Sequence, residues 1–127
     1  MALPDPEAAR AILIGTAHYA PDSGFESFPE VERSLRDFAE FLRTETGLPE
    51  QHIEMVLDPP DSRTIAARVT AAAQAATGLL LVYYVGHGVA VDNQLHLTHA
   101  GSRATDADVT ALGYPIVRSR IKANARG

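Results

Sequence analysis

Short apolar runs alternate with longer stretches of helical period along this chain, and the alternation predicts strand, helix, strand, helix, strand. Ala11 to Gly15 (AILIG) is rich in branched residues and closed by glycine, as a buried parallel strand should be. A loop from Thr16 to Ser27 follows. Ser27, with Glu30 three positions on and Pro29 at the favoured first helical position, fits a capping box that opens a helix. Val31, Leu35, Phe38 and Leu42 give that helix one apolar face against Arg33, Arg36 and Glu40, until Gly47 and Pro49 stop it. His52 to Leu57 (HIEMVL) alternates as a second strand and is closed by Asp58-Pro59-Pro60.

A second helix, capped by Asp61 or Ser62, carries a narrow stripe of Ile65, Val69, Ala72, Ala73 and Ala76 and ends at Gly78. Its small residues permit close packing on a sheet. Leu79 to Val85 (LLLVYYV) is uniformly apolar, which predicts a strand covered on both faces and central in the sheet. Beyond it, Val89 to Val91 and Gln94 to Thr98 read as a small β-ribbon, Gly101 to Asp108 as a polar loop, and Tyr114 to Asn124 as a last helix. The order implies one α/β domain over residues 1–127, with parallel pairing and right-handed crossovers.

Composition narrows the chemistry. With 127 residues, 46% of them hydrophobic, the chain is long enough for one core. Eleven basic against sixteen acidic residues leave a net charge of -5, so no broad positive field recruits nucleic acid or anionic lipid. The longest apolar run is far shorter than the roughly 20 residues that span a bilayer, and Met1 to Arg10 lacks the pattern of a secretory signal. A cytoplasmic protein is the expectation. The chain contains no cysteine, which excludes a disulfide scaffold and a thiolate metal site.

The chemical candidates cluster after the third strand. Tyr83-Tyr84-Val85-Gly86-His87-Gly88 sets a histidine just past the carboxyl end of the apolar run, the edge at which open α/β sheets bind ligands. Flanking glycines let backbone and substrate approach, and an imidazole titrates near neutrality, as general acid/base work requires.

These residues resemble a family. YYVGHG after a run of aliphatics, preceded by AILIGTAHY, a helix and a second strand ending in LDPP, is similar to the large-subunit half of bacterial caspase-like cysteine peptidases of the caspase/metacaspase superfamily. The resemblance spans nearly the whole chain and is most specific from Tyr84 to Gly88. It implies a three-layer α/β sandwich with a mostly parallel sheet, truncated before the cysteine-bearing strand. It implies that His87 is the catalytic histidine and that Gly88 lends its backbone N–H to an oxyanion hole. It further implies a peptide or protein substrate, no cofactor, and linkage to effector or signalling domains. In such enzymes the nucleophilic cysteine lies roughly 50 residues after the histidine, beyond Gly127. The expectation is therefore a histidine-bearing fragment, inert alone, whose partner is the cysteine-bearing remainder. A non-catalytic pseudopeptidase that works as an interaction module is the alternative.

In this fold the loop between the first strand and first helix helps form the pocket for the residue before the scissile bond. Here that region holds Asp22, Glu26, Glu30 and Glu32 and no basic residue. Glu30 and Glu32 suit the first turn of the helix, which leaves Asp22 and Glu26 to favour cleavage after arginine or lysine.

Other constellations rank below this one. His87, His96 and His99, with Asp92, have the residue types of a zinc site, but His96 lies beside apolar Leu95 and Leu97 and no H-E-x-x-H motif exists, so no metal is expected. His18 reads as a solvated loop residue or a wall of the same cleft. No G-x-S-x-G, Walker or G-x-G-x-x-G motif occurs. Arg118, Arg120, Lys122 and Arg126 read as a solvated helix face and frayed end, or else as a processing loop.

Overall fold

The computed structural model describes residues 3–124; Arg126 lies outside them. Three parallel strands form the main sheet: β1 (Arg10–Gly15), β2 (Ile53–Leu57) and β3 (Leu80–Val85), in the order β2-β1-β3. Ala11 pairs with Ile53 on one side and Leu81 on the other, and the register runs on to Gly15, opposite Leu57 and Val85. The central strand is thus β1, not the apolar run that sequence placed there. Ile12, Leu13 and Ile14 are fully buried, whereas every residue of β3 is only half-buried. Leu79, which precedes β3, is 54% exposed. A continuous apolar run fits a half-covered edge strand as well as a central one, because hydropathy records side-chain character and not the presence of a backbone neighbour.

Helices cover both faces of the sheet. On one side α1 (Glu30–Phe41) packs Val31 and Leu35 against Ala11 and Leu13, with Leu42 and Leu48 completing the cluster. Gly15 is glycine because a Cβ there would come within 2.7 Å of both Val31 Cγ1 and Leu35 Cδ1. On the other side α2 (Ser62–Ala75) lays Ile65, Val69 and Ala72 on Ile12, Ile14 and Val56. Its stripe of small residues allows that approach, and Asp61 caps it by accepting the Thr64 N–H at 2.8 Å.

Helix α1 departs from its expected start. It begins at Glu30 with no side-chain cap. Ser27 turns away from the helix, accepting the Tyr19 N–H at 3.0 Å, because the loop after β1 must satisfy its own backbone. At the other end α1 widens into a π-helical turn over Leu42–Thr46 and stops at Gly47, whose φ is 78°.

The remaining elements form a second, antiparallel sheet of β4 (Gly88–Val91), β5 (Gln94–Leu97) and the two-residue β6 (Leu112–Gly113), in the order β4-β5-β6. Asp92 and Asn93 make the two-residue hairpin turn with φ of 51° and 64°. The stretch read as a polar loop holds a short 3-10 turn and α3 (Ala107–Thr110). The last helix, α4 (Tyr114–Asn124), spans the expected residues and adds Val117 to the core beside α2. Among the described residues no helix is long and apolar enough to cross a membrane.

Candidate functional site

The chain leaves β3 through Gly86 and enters β4 at Gly88, which isolates His87 between two sheets. Its backbone is gripped on both sides. The His87 N–H donates to Tyr19 Oη at 3.1 Å, and the His87 carbonyl accepts from Thr98 Oγ1 at 2.7 Å and from the Thr98 N–H at 3.3 Å. Because the Thr98 hydroxyl spends its one proton on that carbonyl, it must accept from Tyr19 Oη, 2.5 Å away. Tyr84 Oη and Thr16 Oγ1 both donate to the Thr98 carbonyl, at 2.7 and 3.1 Å. Thr16 and Thr98 are fully buried, and burial pushes the Tyr84 phenol far above its ordinary range against the opposing Thr98 hydrogen bond. Tyr84 therefore stays a neutral donor.

The imidazole itself is oriented by a backbone group. His87 Nε2 lies 2.8 Å from the carbonyl oxygen of Glu26. A carbonyl only accepts, so Nε2 carries the proton, and in the neutral ring Nδ1 is the base. Three aromatic rings pack around the imidazole: Tyr19 edge-on at 5.1 Å, Phe25 stacked at 5.3 Å and Phe28 tilted at 5.2 Å between centroids. The loop that supplies them is tied down where the Phe28 N–H donates to the Ala17 carbonyl at 2.7 Å and the Ala104 N–H to the Ser23 carbonyl at 2.7 Å.

Gly88 faces Leu97 across the β4-β5 ladder. Since the preceding pair, His87 with Thr98, is hydrogen-bonded, Gly88 belongs to the alternate pair whose N–H points away from β5. That N–H stands free of the ladder next to an imidazole with a free nitrogen. Base, orienting acceptor and N–H donor are three parts of acyl-transfer machinery; the fourth, a nucleophile, is not a cysteine of this chain.

The substrate-pocket candidates divide. Glu26 reaches His87 through its carbonyl, with its side chain exposed. Asp22 is exposed in the turn before Gly24, on a loop tied to Ala104, and its charge acts on Arg103. The metal-ligand candidates are not gathered: Asp92 lies in the hairpin turn, His96 Nδ1 donates to the Gln94 carbonyl at 3.1 Å, and His99 Nε2 faces Ser62 Oγ at 3.0 Å. Among the described residues no three histidine, aspartate or glutamate side chains are grouped to hold a metal ion.

His18 follows β1 and is 64% exposed, with Nδ1 2.8 Å from Asp58 Oδ2. The other Asp58 oxygen accepts the N–H groups of Ala17 and His18 at 2.7 and 3.0 Å. Burial raises the Asp58 carboxyl, and the hydrogen bonds from His18 and Ala17 outweigh it to hold the group below the ordinary carboxylate value. Asp58 thus anchors the loop that carries Tyr19 and Phe25.

Sequence reasoning had no access to Tyr19, Thr98 or the Glu26 carbonyl. Tyr19 and Thr98 lie 79 positions apart, and a backbone carbonyl is common to every residue type. A comparison with known protein families finds no family model that matches the chain, and no curated protein matches it at a significant level.

Proposed function

We propose that this chain is the histidine-bearing part of a caspase-like cysteine endopeptidase, with the caspase-like three-layer fold, and that its nucleophilic cysteine is carried by sequence outside these 127 residues. The observation that carries the reading is the anchoring of His87: its main chain is held at both N–H and carbonyl, and its ring is aimed by the Glu26 carbonyl so that Nδ1 is the free base. The open edge of β3 and the half-exposed Leu79 offer a place for the strand that would bear the cysteine.

In this mechanism His87 Nδ1 takes the proton of the thiol. The thiolate attacks the scissile carbonyl carbon, and the oxyanion receives the Gly88 N–H. The imidazolium then returns its proton to the leaving amine, and water hydrolyses the acyl-enzyme. Glu26 and Asp22 favour a cationic side chain before the scissile bond. The absence of any cysteine favours a second reading, a pseudopeptidase of the same fold that binds a partner.

The test is the reading frame that continues past Gly127, expressed in one piece. A further strand ending in Asp-x-Cys, with hydrolysis of peptides after arginine or lysine that is abolished by His87→Ala, supports the peptidase. A strand without cysteine supports the binding module. Hydrolysis by the 127-residue chain alone, lost in His87→Ala, would overturn the missing-nucleophile account.

A further inference from the structure

The outer face of α4 carries a feature that neither reading of His87 uses. Over Tyr114–Asn124 the sequence YPIVRSRIKAN holds three cations and no acid. Of the seven cations described elsewhere on this acidic chain, four face carboxylates: Arg36 meets Glu32 at 2.7 Å, Arg103 meets Asp106 at 2.6 Å, Arg43 meets Glu40 at 4.0 Å, and Arg68 meets Glu54; Arg10, Arg33 and Arg63 do not, and they stand singly along the chain. Arg118, Arg120 and Lys122 face none among the described residues.

Two of these cations border a groove. Gln94 at the start of β5 and Tyr114, Pro115, Arg118, Ser119 and Lys122 of α4 line a cleft of about 590 Å³. Tyr114 is 46% exposed there, an apolar floor at one end of a cationic wall. Tyr114, Arg118 and Lys122 recur at four-residue spacing, so they stand in a row along the helix, each about 6 Å from the next along the axis. Alternate residues of an extended peptide are about 6.6 Å apart on one side. The two spacings match.

We propose that this groove is a docking site for a short acidic peptide segment of a partner protein, bound extended, with an apolar residue on Tyr114 and Pro115 and carboxylates two and four positions later on Arg118 and Lys122. Charge complementarity selects the occupant. Isolated cations beside an apolar floor suit a few carboxylates on a hydrophobic anchor. A long polyanion or a lipid surface would also meet the remaining acidic surface of a chain whose net charge is -5. The site is independent of the peptidase reading, since it involves neither His87 nor a nucleophile.

The experiment is fluorescence polarisation at low ionic strength with a labelled Leu-Ser-Glu-Ser-Glu peptide and its Leu-Ser-Gln-Ser-Gln counterpart. The acidic peptide should bind about tenfold tighter or better, weaken with added salt, and lose that advantage in the Arg118→Glu/Lys122→Glu double variant. Tyr114→Ala should weaken both peptides. Arg63→Glu, at the start of α2, should change nothing. All substituted side chains are exposed, and circular dichroism checks that each variant folds. Equal binding of the two peptides overturns the proposal, as does full binding by the double variant. Tighter binding of a single-stranded oligonucleotide or of phosphatidylserine vesicles overturns it in favour of a general polyanion surface.

Discussion

Replacing Thr98 by valine tests the account of how His87 is held. The two side chains have nearly the same shape, so the change removes one hydroxyl from a fully buried site without opening a cavity. That hydroxyl donates to the His87 carbonyl at 2.7 Å and accepts from Tyr19 Oη at 2.5 Å. The carbonyl keeps the Thr98 N–H at 3.3 Å, so it stays satisfied. Tyr19 loses its acceptor in a residue 7% exposed. Leaving one buried donor unpaired costs about 1–3 kcal/mol, so Thr98→Val should destabilise by about 2 kcal/mol. Urea unfolding followed by far-ultraviolet circular dichroism reads this as a midpoint lowered by about 1 M at unchanged slope. A second substitution isolates the cause. Tyr19→Phe removes the orphaned donor, so in the Thr98→Val background it should cost clearly less than in the native chain. A Thr98→Val variant as stable as the native protein, or strictly additive effects of the two changes, would refute the network.

Three further outcomes follow from the same geometry. Gly86→Ala should destabilise by about 1–3 kcal/mol in the same urea assay, because the new Cβ would overlap Tyr84 Oη and come within 3.2 Å of Tyr19 Oη; an unchanged midpoint contradicts the packing. His99 is nearly buried, its Nδ1 accepts the Gly101 N–H at 3.1 Å, and burial lowers its affinity for a proton against the opposing charge of Asp61. Its native value therefore lies below the 6.5 of the open chain, so stability should fall as pH drops below about 6.5, and less steeply in His99→Gln; parallel pH profiles of the two proteins argue against it. Asp58 has a native value below 3.8, so its contribution is present above that pH and lost on further acidification. Asp58→Asn should remove this component from the acid unfolding curve, and an unchanged curve would assign the acid loss elsewhere.

Local information in the chain was enough for most elements. The aliphatic run of β1, the four-three-four spacing on α1, the Asp61 cap and small-residue stripe of α2, and the limits of α4 each depend on residues within a turn or two. Hydropathic period and capping chemistry report such neighbours directly. The position of His87 just past β3 was legible for the same reason. Pairing over long distances was not. Whether LLLVYYV lies at the centre or the edge depends on which strand supplies backbone partners, and β1 takes the central place by bonding to β2 and β3 at once. Ser27 has the sequence of a helix cap, yet Tyr19 claims its hydroxyl. The grip on His87 draws on Tyr19 from 68 positions away and on the Glu26 carbonyl from 61, and Tyr19 in turn bonds Thr98 across 79. The Tyr19–Thr98 bond forms where burial forces each donor to find an acceptor, and the exposed Glu26 carbonyl reaches the imidazole only because the loop after β1 folds back over it, so tertiary structure alone decided the tautomer and aim of the imidazole.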